Sequence, residues 1–152
     1  MLFKKYFVAA GTGLSKTSKL NAFDNALMQA GISQCNLVPV SSILPEHAKQ
    51  IEPINIEPGT ITFTVLARAD GDAGEAISAG LGWAQCVDTY GIVVEEKGVK
   101  TKEEAERKIK LKIKEMTDNR RIQIKKQDQK IVSIKVPEGQ YGSAVVALIY
   151  TN

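Results

Sequence analysis

Only two stretches of this chain carry the period of a helix, and this constrains the fold more than any other feature. In the first, Leu20, Phe23, Leu27 and Ala30 recur at helical spacing, and Gly31 follows where a C-terminal glycine is expected. In the second, Thr101-Lys102-Glu103-Glu104 forms a capping box that opens onto a buried stripe of Ala105, Ile109, Ile113 and Met116. Elsewhere the apolar residues alternate, or run in short β-branched blocks between turn residues, so they read as strands. The expected strands cover residues 2–10, 35–40, 60–69, 76–87, 90–95, 131–136 and 142–150. The first is expected to enter a turn at Gly11-Thr12-Gly13, followed by a polar loop over 15–19. Pro39 makes the second an edge or irregular strand. Residues 45–58, with Pro45, Pro53 and Pro58, read as an extended surface segment. Many strands and two helices predict mixed sheets with helices lying on them.

A chain of 152 residues suits one domain with a single core. No segment reaches the roughly 18 apolar residues of a membrane helix. Charges interrupt the apolar residues of Met1-Leu2-Phe3-Lys4-Lys5-Tyr6-Phe7, which makes a poor signal peptide, so the expected location is the cytoplasm. Cys35 and Cys86 offer neither a disulfide framework nor a metal set and read as buried thiols. His47 is the one histidine and has no partner for a metal cluster, so no metal is expected. Residues 97–126 hold 12 of the 20 Lys and Arg against 5 acids. That basic segment is not read as a nucleic-acid surface. Glu103 with Arg107, Glu104 with Lys108 and Glu106 with Lys110 fall at i,i+4 spacing on a solvated helix face, and no interleaved aromatic is there to stack bases.

Three partial motifs fail on their own chemistry. Lys16-Thr17 lacks the two glycines of a phosphate loop, since Ser15 and Ala10 stand at those positions. Asp70-Gly71-Asp72-Ala73-Gly74 begins like a calcium loop, but Leu81 stands where the bidentate acid belongs. Gly80-Leu81-Gly82-Trp83 lacks the third glycine of a dinucleotide fingerprint and fits close packing of a strand instead.

Adjacent serines mean little alone, and here the context carries the information. Leu20-Asn21-Ala22-Phe23-Asp24, Ala30-Gly31-Ile32, Asn36-Leu37 and Ser41-Ser42-Ile43-Leu44-Pro45 follow one another at close spacing. Gly91-Ile92-Val93-Val94-Glu95, Gly98 and the capped helix from Thr101 come later. In order and spacing these pieces resemble the pyruvoyl-dependent arginine decarboxylases, over roughly residues 20–117 and more weakly over the final strands. The expected architecture is α+β, a four-layer α/β/β/α sandwich of mixed sheets with the helices outside.

The resemblance implies that the chain cuts itself between Ser41 and Ser42 into fragments 1–41 and 42–152 and converts Ser42 into a covalent pyruvoyl cofactor. It implies decarboxylation of L-arginine to agmatine and carbon dioxide through a Schiff base on that group. Glu95 matches the family's proton donor, and desolvation at the end of an apolar run would favour its protonated form. Asn36 matches the proposed oxyanion donor of self-cleavage, although an Asn there also suits a cap or turn. Asp24 matches the residue that pairs with the substrate guanidinium, and Leu20 joins it in the substrate site. Partial burial is expected for Asp24 beside Phe23 and Leu27. Family members assemble as homotrimers of cleaved protomers with sites at subunit contacts; no nucleic acid and no membrane is involved. Two alternatives stand beside this reading. One is an uncleaved, non-catalytic relative that binds guanidino compounds or polyamines, and the other is a pyruvoyl decarboxylase for another basic amino acid.

Overall fold

The computed structural model describes residues 1–152. The chain is mixed α+β, with nine strands in two sheets and two helices. The strands are β1 (Lys5–Ser15), β2 (Asn36–Pro39), β3 (Ile43–Leu44), β4 (Lys49–Gln50), β5 (Ile61–Gly71), β6 (Ala76–Cys86), β7 (Thr89–Val99), β8 (Ile124–Lys135) and β9 (Tyr141–Thr151). The helices are α1 (Lys19–Ala30) and α2 (Lys102–Arg120). A five-stranded sheet has the order β2-β5-β9-β1-β4, and a four-stranded sheet the order β3-β7-β6-β8. The larger sheet is mixed, with β2 parallel to β5 and β4 parallel to β1. The smaller sheet is wholly antiparallel, contrary to the expectation of two mixed sheets.

Strand alternation sorts the side chains into three apolar clusters. Tyr6, Val146 and Leu148 of the larger sheet meet Leu81, Trp83 and Val93 of the smaller one between the sheets. Phe7, Ala9, Ala147 and Ile149, on the opposite face of the larger sheet, pack with Ala26 and Leu27 of α1. Ala84, Ile92 and Val94, on the other face of the smaller sheet, pack with Ala105, Ile109 and Ile113 of α2.

The expected glycine turn at 11–13 is instead the interior of β1, which continues to Ser15. Those glycines serve α1. A Cβ on Gly13 would overlap the Ala22 carbonyl and the Ala26 amide, and one on Gly11 would overlap the Ala26 carbonyl. The helix backbone therefore lies directly on the strand, and only small residues fit at the contact. This corrects the expected stripe, since Ala22 and Ala26 are fully buried while Leu20 is 69% exposed. Ser18 caps α1 by accepting the Asn21 amide at 3.0 Å, and Gly31 ends it in the left-handed region at φ 77°.

The other differences are extensions of strands. β7 runs past Glu95 to Val99, and β8 begins at Ile124 through a polar run that only an edge strand with two wet faces tolerates. Gly82 lies under α2, where a Cβ would overlap Ile109. Thr101 caps α2 as expected, accepting the Glu104 amide at 3.1 Å. Of the three anticipated helix pairs only Glu106–Lys110 forms, at 3.3 Å on the surface. Neither helix is long and apolar enough to cross a membrane.

Candidate active site

The Ser41–Ser42 peptide lies where the chain leaves one sheet for the other. The Val40 amide donates to the Thr64 carbonyl at 2.8 Å, the last bond to the larger sheet. Two residues later the Ser42 carbonyl accepts the Val93 amide at 2.8 Å, the first bond to the smaller sheet. The Ser41–Ser42 link is thus clamped on both sides with no secondary-structure partner of its own. Ser41 is exposed, and Ser42 is half-buried at a bend. β3 holds the downstream side through Ile43–Ile92 and Leu44–Gly91 pairing. Tyr150 Oη donates to the Ile43 carbonyl at 2.8 Å. Burial, and then the neighbouring Tyr6, push the Tyr150 hydroxyl up to about 12, so it remains a donor across the physiological range. Neither Val93 nor Tyr150 was singled out by sequence reasoning. Both sit in ordinary apolar strands, and only the crossing of the sheets gives them this task.

Glu95 lies two residues beyond Val93 on β7, roughly 7 Å along the strand and on the same face. It stands beside Leu81 at the rim of the core between the sheets, past the end of β3. The expected desolvation is absent in the protomer, where Glu95 is exposed. Because β7 continues, it is Glu96 that turns inward, toward α2. Burial works to raise the Glu96 carboxyl, but the ammonium groups of Lys100 and Lys112 outweigh it and hold the group below the usual carboxylate range.

The remaining candidates lie elsewhere. Asn36 starts β2 and is exposed, and its side-chain amide donates to the Gly59 carbonyl at 2.9 Å, a turn-bracing role. Ser41 lies five residues further along largely extended chain, roughly 16 Å away. Asp24 and Leu20 lie on the outer face of α1, both exposed, so the expected partial burial of Asp24 is not met. The larger sheet stands between them and Ser42. Beside Asp24, the Arg68 guanidinium covers the Phe23 ring at 3.7 Å and makes a bidentate pair with Asp70, at 3.0 and 2.9 Å. Ser143 Oγ donates to Asp70 at 2.9 Å, and no hydrogen bond joins this network to the Asp24 carboxylate. Beside the serine pair the surface is apolar: Val38, Val40 and Ile43 are exposed. A groove of about 280 Å³ is lined by Phe3, Val40, Ile43, Pro45, Phe63 and Tyr150.

The model of the family described as pyruvoyl-dependent arginine decarboxylase matches residues 5–152. The chain belongs to that family. A pyruvoyl-dependent arginine decarboxylase of Thermococcus kodakarensis is 40% identical over 115 residues, 74% of this chain and 73% of the relative. One from Methanopyrus kandleri is 33% identical over 147 residues, 97% of this chain and 96% of the relative. One from Pyrococcus abyssi is 36% identical over 136 residues, covering 87% and 85%. As a member of the pyruvoyl-dependent arginine decarboxylases the chain is a decarboxylase, a carbon–carbon lyase with a covalent pyruvoyl cofactor. The surroundings of Ser42 suit such a group. Its carbonyl is already held by a backbone amide, and half-burial shelters the position while leaving it open to a small substrate.

Proposed function

We propose that the protein decarboxylates L-arginine to agmatine and carbon dioxide, using a pyruvoyl group that it makes from Ser42. The observation that carries this reading is the Ser41–Ser42 link, held from opposite sides by two sheets. A link so placed can break without either end leaving the fold.

Self-cleavage follows from the residues at the link. Ser42 Oγ attacks the Ser41 carbonyl carbon, and the acyl group moves from nitrogen to oxygen. β-Elimination then releases the Ser41 carboxylate and leaves dehydroalanine at position 42. One water hydrolyses the enamine, ammonia departs, and the ketone of the pyruvoyl group remains. Fragment 1–41 carries β1, α1 and β2; β1 stays paired to β9 from Lys5–Thr151 to Ser15–Tyr141, so the pieces remain interlocked.

The group supplies a ketone that condenses with the substrate amine and takes up the electron pair released with carbon dioxide. Around it, the Val93 amide and the Tyr150 hydroxyl hold the backbone of residues 42 and 43. Glu95 delivers the proton to the substrate Cα from the rim beside Leu81. Asp24 binds the guanidinium through paired charge-assisted hydrogen bonds, with Leu20 one helical turn before it packing on the substrate stem.

Asp24 and Leu20 lie across a sheet from Ser42, so one protomer does not hold a complete site. We assign them to a neighbouring copy in a homotrimer, together with Asn36 as oxyanion donor. The apolar surface around the serine pair supports this contact, since burying it also desolvates Glu95. The layering we assign is α1, the five-stranded sheet, the four-stranded sheet, then α2.

Subunit complementation tests the reading. Ser42→Ala alone should release no carbon dioxide from carboxyl-labelled arginine, and Asp24→Asn alone should release it about ten- to a hundredfold more slowly at low arginine. Mixed assemblies should regain part of the activity, because some contacts then pair an intact Ser42 with an intact Asp24. No recovery in verified mixed trimers would refute the shared site, and a processed wild type that yields no agmatine would refute the substrate.

A further inference from the structure

We infer that Lys112, on α2, is a positioning residue that holds Glu95 in place at an open strand edge; this rests on Glu95 being the proton donor. Residues alternate along a strand between those whose N–H and C=O point to one neighbour and those that point to the other. The Val93 amide points away from β6, to Ser42. Glu95 has the same parity, so its backbone groups also point to that outer side. β3 pairs β7 only at Gly91 and Ile92, and past the Ser42 carbonyl no strand continues along this edge. The Glu95 carbonyl therefore has no ladder partner.

Lys112 supplies one from another element. Its Nζ donates to the Glu95 carbonyl at 2.6 Å. The same ammonium lies 2.5 Å from Glu96 Oε2, in an ionic contact outside hydrogen-bond geometry. Glu96 Oε1 accepts from Lys100. One cation thus ties together the main chain of Glu95 and the side chain of Glu96, which faces the opposite way. Glu96 is 6% exposed, so it anchors the ammonium from beneath while the Lys112 stem crosses the edge. Two adjacent residues bound from one point fix both position and twist of the strand there. The direction in which the Glu95 carboxyl projects toward Ser42 then depends on where α2 sits.

A functional lysine here was hidden in the sequence. It is one of twelve basic residues in a segment that reads as a solvated helix face, and its partners lie 16 and 17 residues earlier.

The test compares Lys112→Met, Lys112→Arg, Glu95→Gln and the double variant Glu96→Gln/Lys112→Met, all as processed assemblies. Three quantities are read: the extent of self-cleavage by denaturing mass spectrometry, kcat and KM for arginine, and amide hydrogen exchange along β7. Lys112→Met is expected to cleave fully, keep KM within about twofold and lose about ten- to a hundredfold in kcat, as expected for a misplaced reacting group. Exchange should quicken over 94–98 and stay unchanged over 90–93. Lys112→Arg should recover most of the kcat, since a guanidinium can bridge the same two acceptors. The double variant should behave like Lys112→Met, and it keeps the test valid if an underpaired buried Glu96 unsettles the single variant. Unchanged kcat and unchanged exchange in Lys112→Met, with Glu95→Gln still slow, overturns the inference about Lys112 alone. Wild-type kcat in Glu95→Gln overturns the donor assignment instead, whatever Lys112 does.

Discussion

The backbone amide of Val93 is bonded to the carbonyl of Ser42, and this 2.8 Å contact joins the strand carrying Glu95 to the residue proposed as the source of the electrophile. In the proposed reaction, both the self-cleavage and the later chemistry take place at one end of that bond. Ser42→Ala retains the bond but removes the attacking oxygen. Denaturing mass spectrometry of this variant should show one intact chain, and no carbon dioxide should be released from arginine. Wild type should show fragments 1–41 and 42–152 that separate only on denaturation, because β1 remains between β9 and β4.

Asp24 should govern affinity and not cleavage, because it lies across a sheet from the scissile link. Asp24→Asn removes a charge-assisted pair worth about 1.5–3 kcal/mol, so kcat/KM for arginine should fall about ten- to a hundredfold. Processing should go to completion. Steady-state kinetics on the cleaved variant checks both points, and a processing defect would contradict the placement of Asp24.

Gly13 carries the close approach of α1 to β1. Gly13→Ala drives a methyl group into the Ala22 carbonyl and the Ala26 amide. Backbone on both sides cannot yield as a flexible side chain would, so the expected loss is about 1–3 kcal/mol or more. Denaturant unfolding measures it. Gly139→Ala serves as a control, since nothing lies near a Cβ there and the strain at φ 72° is local.

Glu96 links stability to acid. Its folded-state carboxyl is held below its ordinary value by Lys100 and Lys112, against the effect of burial. A group depressed on folding adds stability above its unfolded value, and that contribution is lost as pH falls through the folded value. Unfolding free energy should therefore decline from about pH 5 downward. Glu96→Gln should flatten that decline while lowering stability at neutral pH, as urea titrations across the range would reveal.

Much of the layout is legible in local patterns. Both helices, their ends at Gly31 and Thr101, and the edge character of β2 follow from short-range chemistry that needs no distant partner. The serine pair and Glu95 stand out as candidates through the order of motifs in which the chain resembles its family. Three features were misread for one reason. Gly11 and Gly13 resemble a turn until a helix is laid on them. Leu20 resembles a core residue until the small contact of Ala22 and Ala26 excludes it. The polar half of β8 shows no strand pattern until β6 pairs it.

By itself, then, the order of residues determines which segments are helix and where most strands run. Each of these depends on neighbours within a few positions. Only the folded molecule decides that Ser42 faces Val93, that Asp24 stands across a sheet from it, and that Lys112 reaches Glu95. Those relations join residues far apart in the chain, and sheet pairing and helix packing bring them together through contacts that no local pattern encodes.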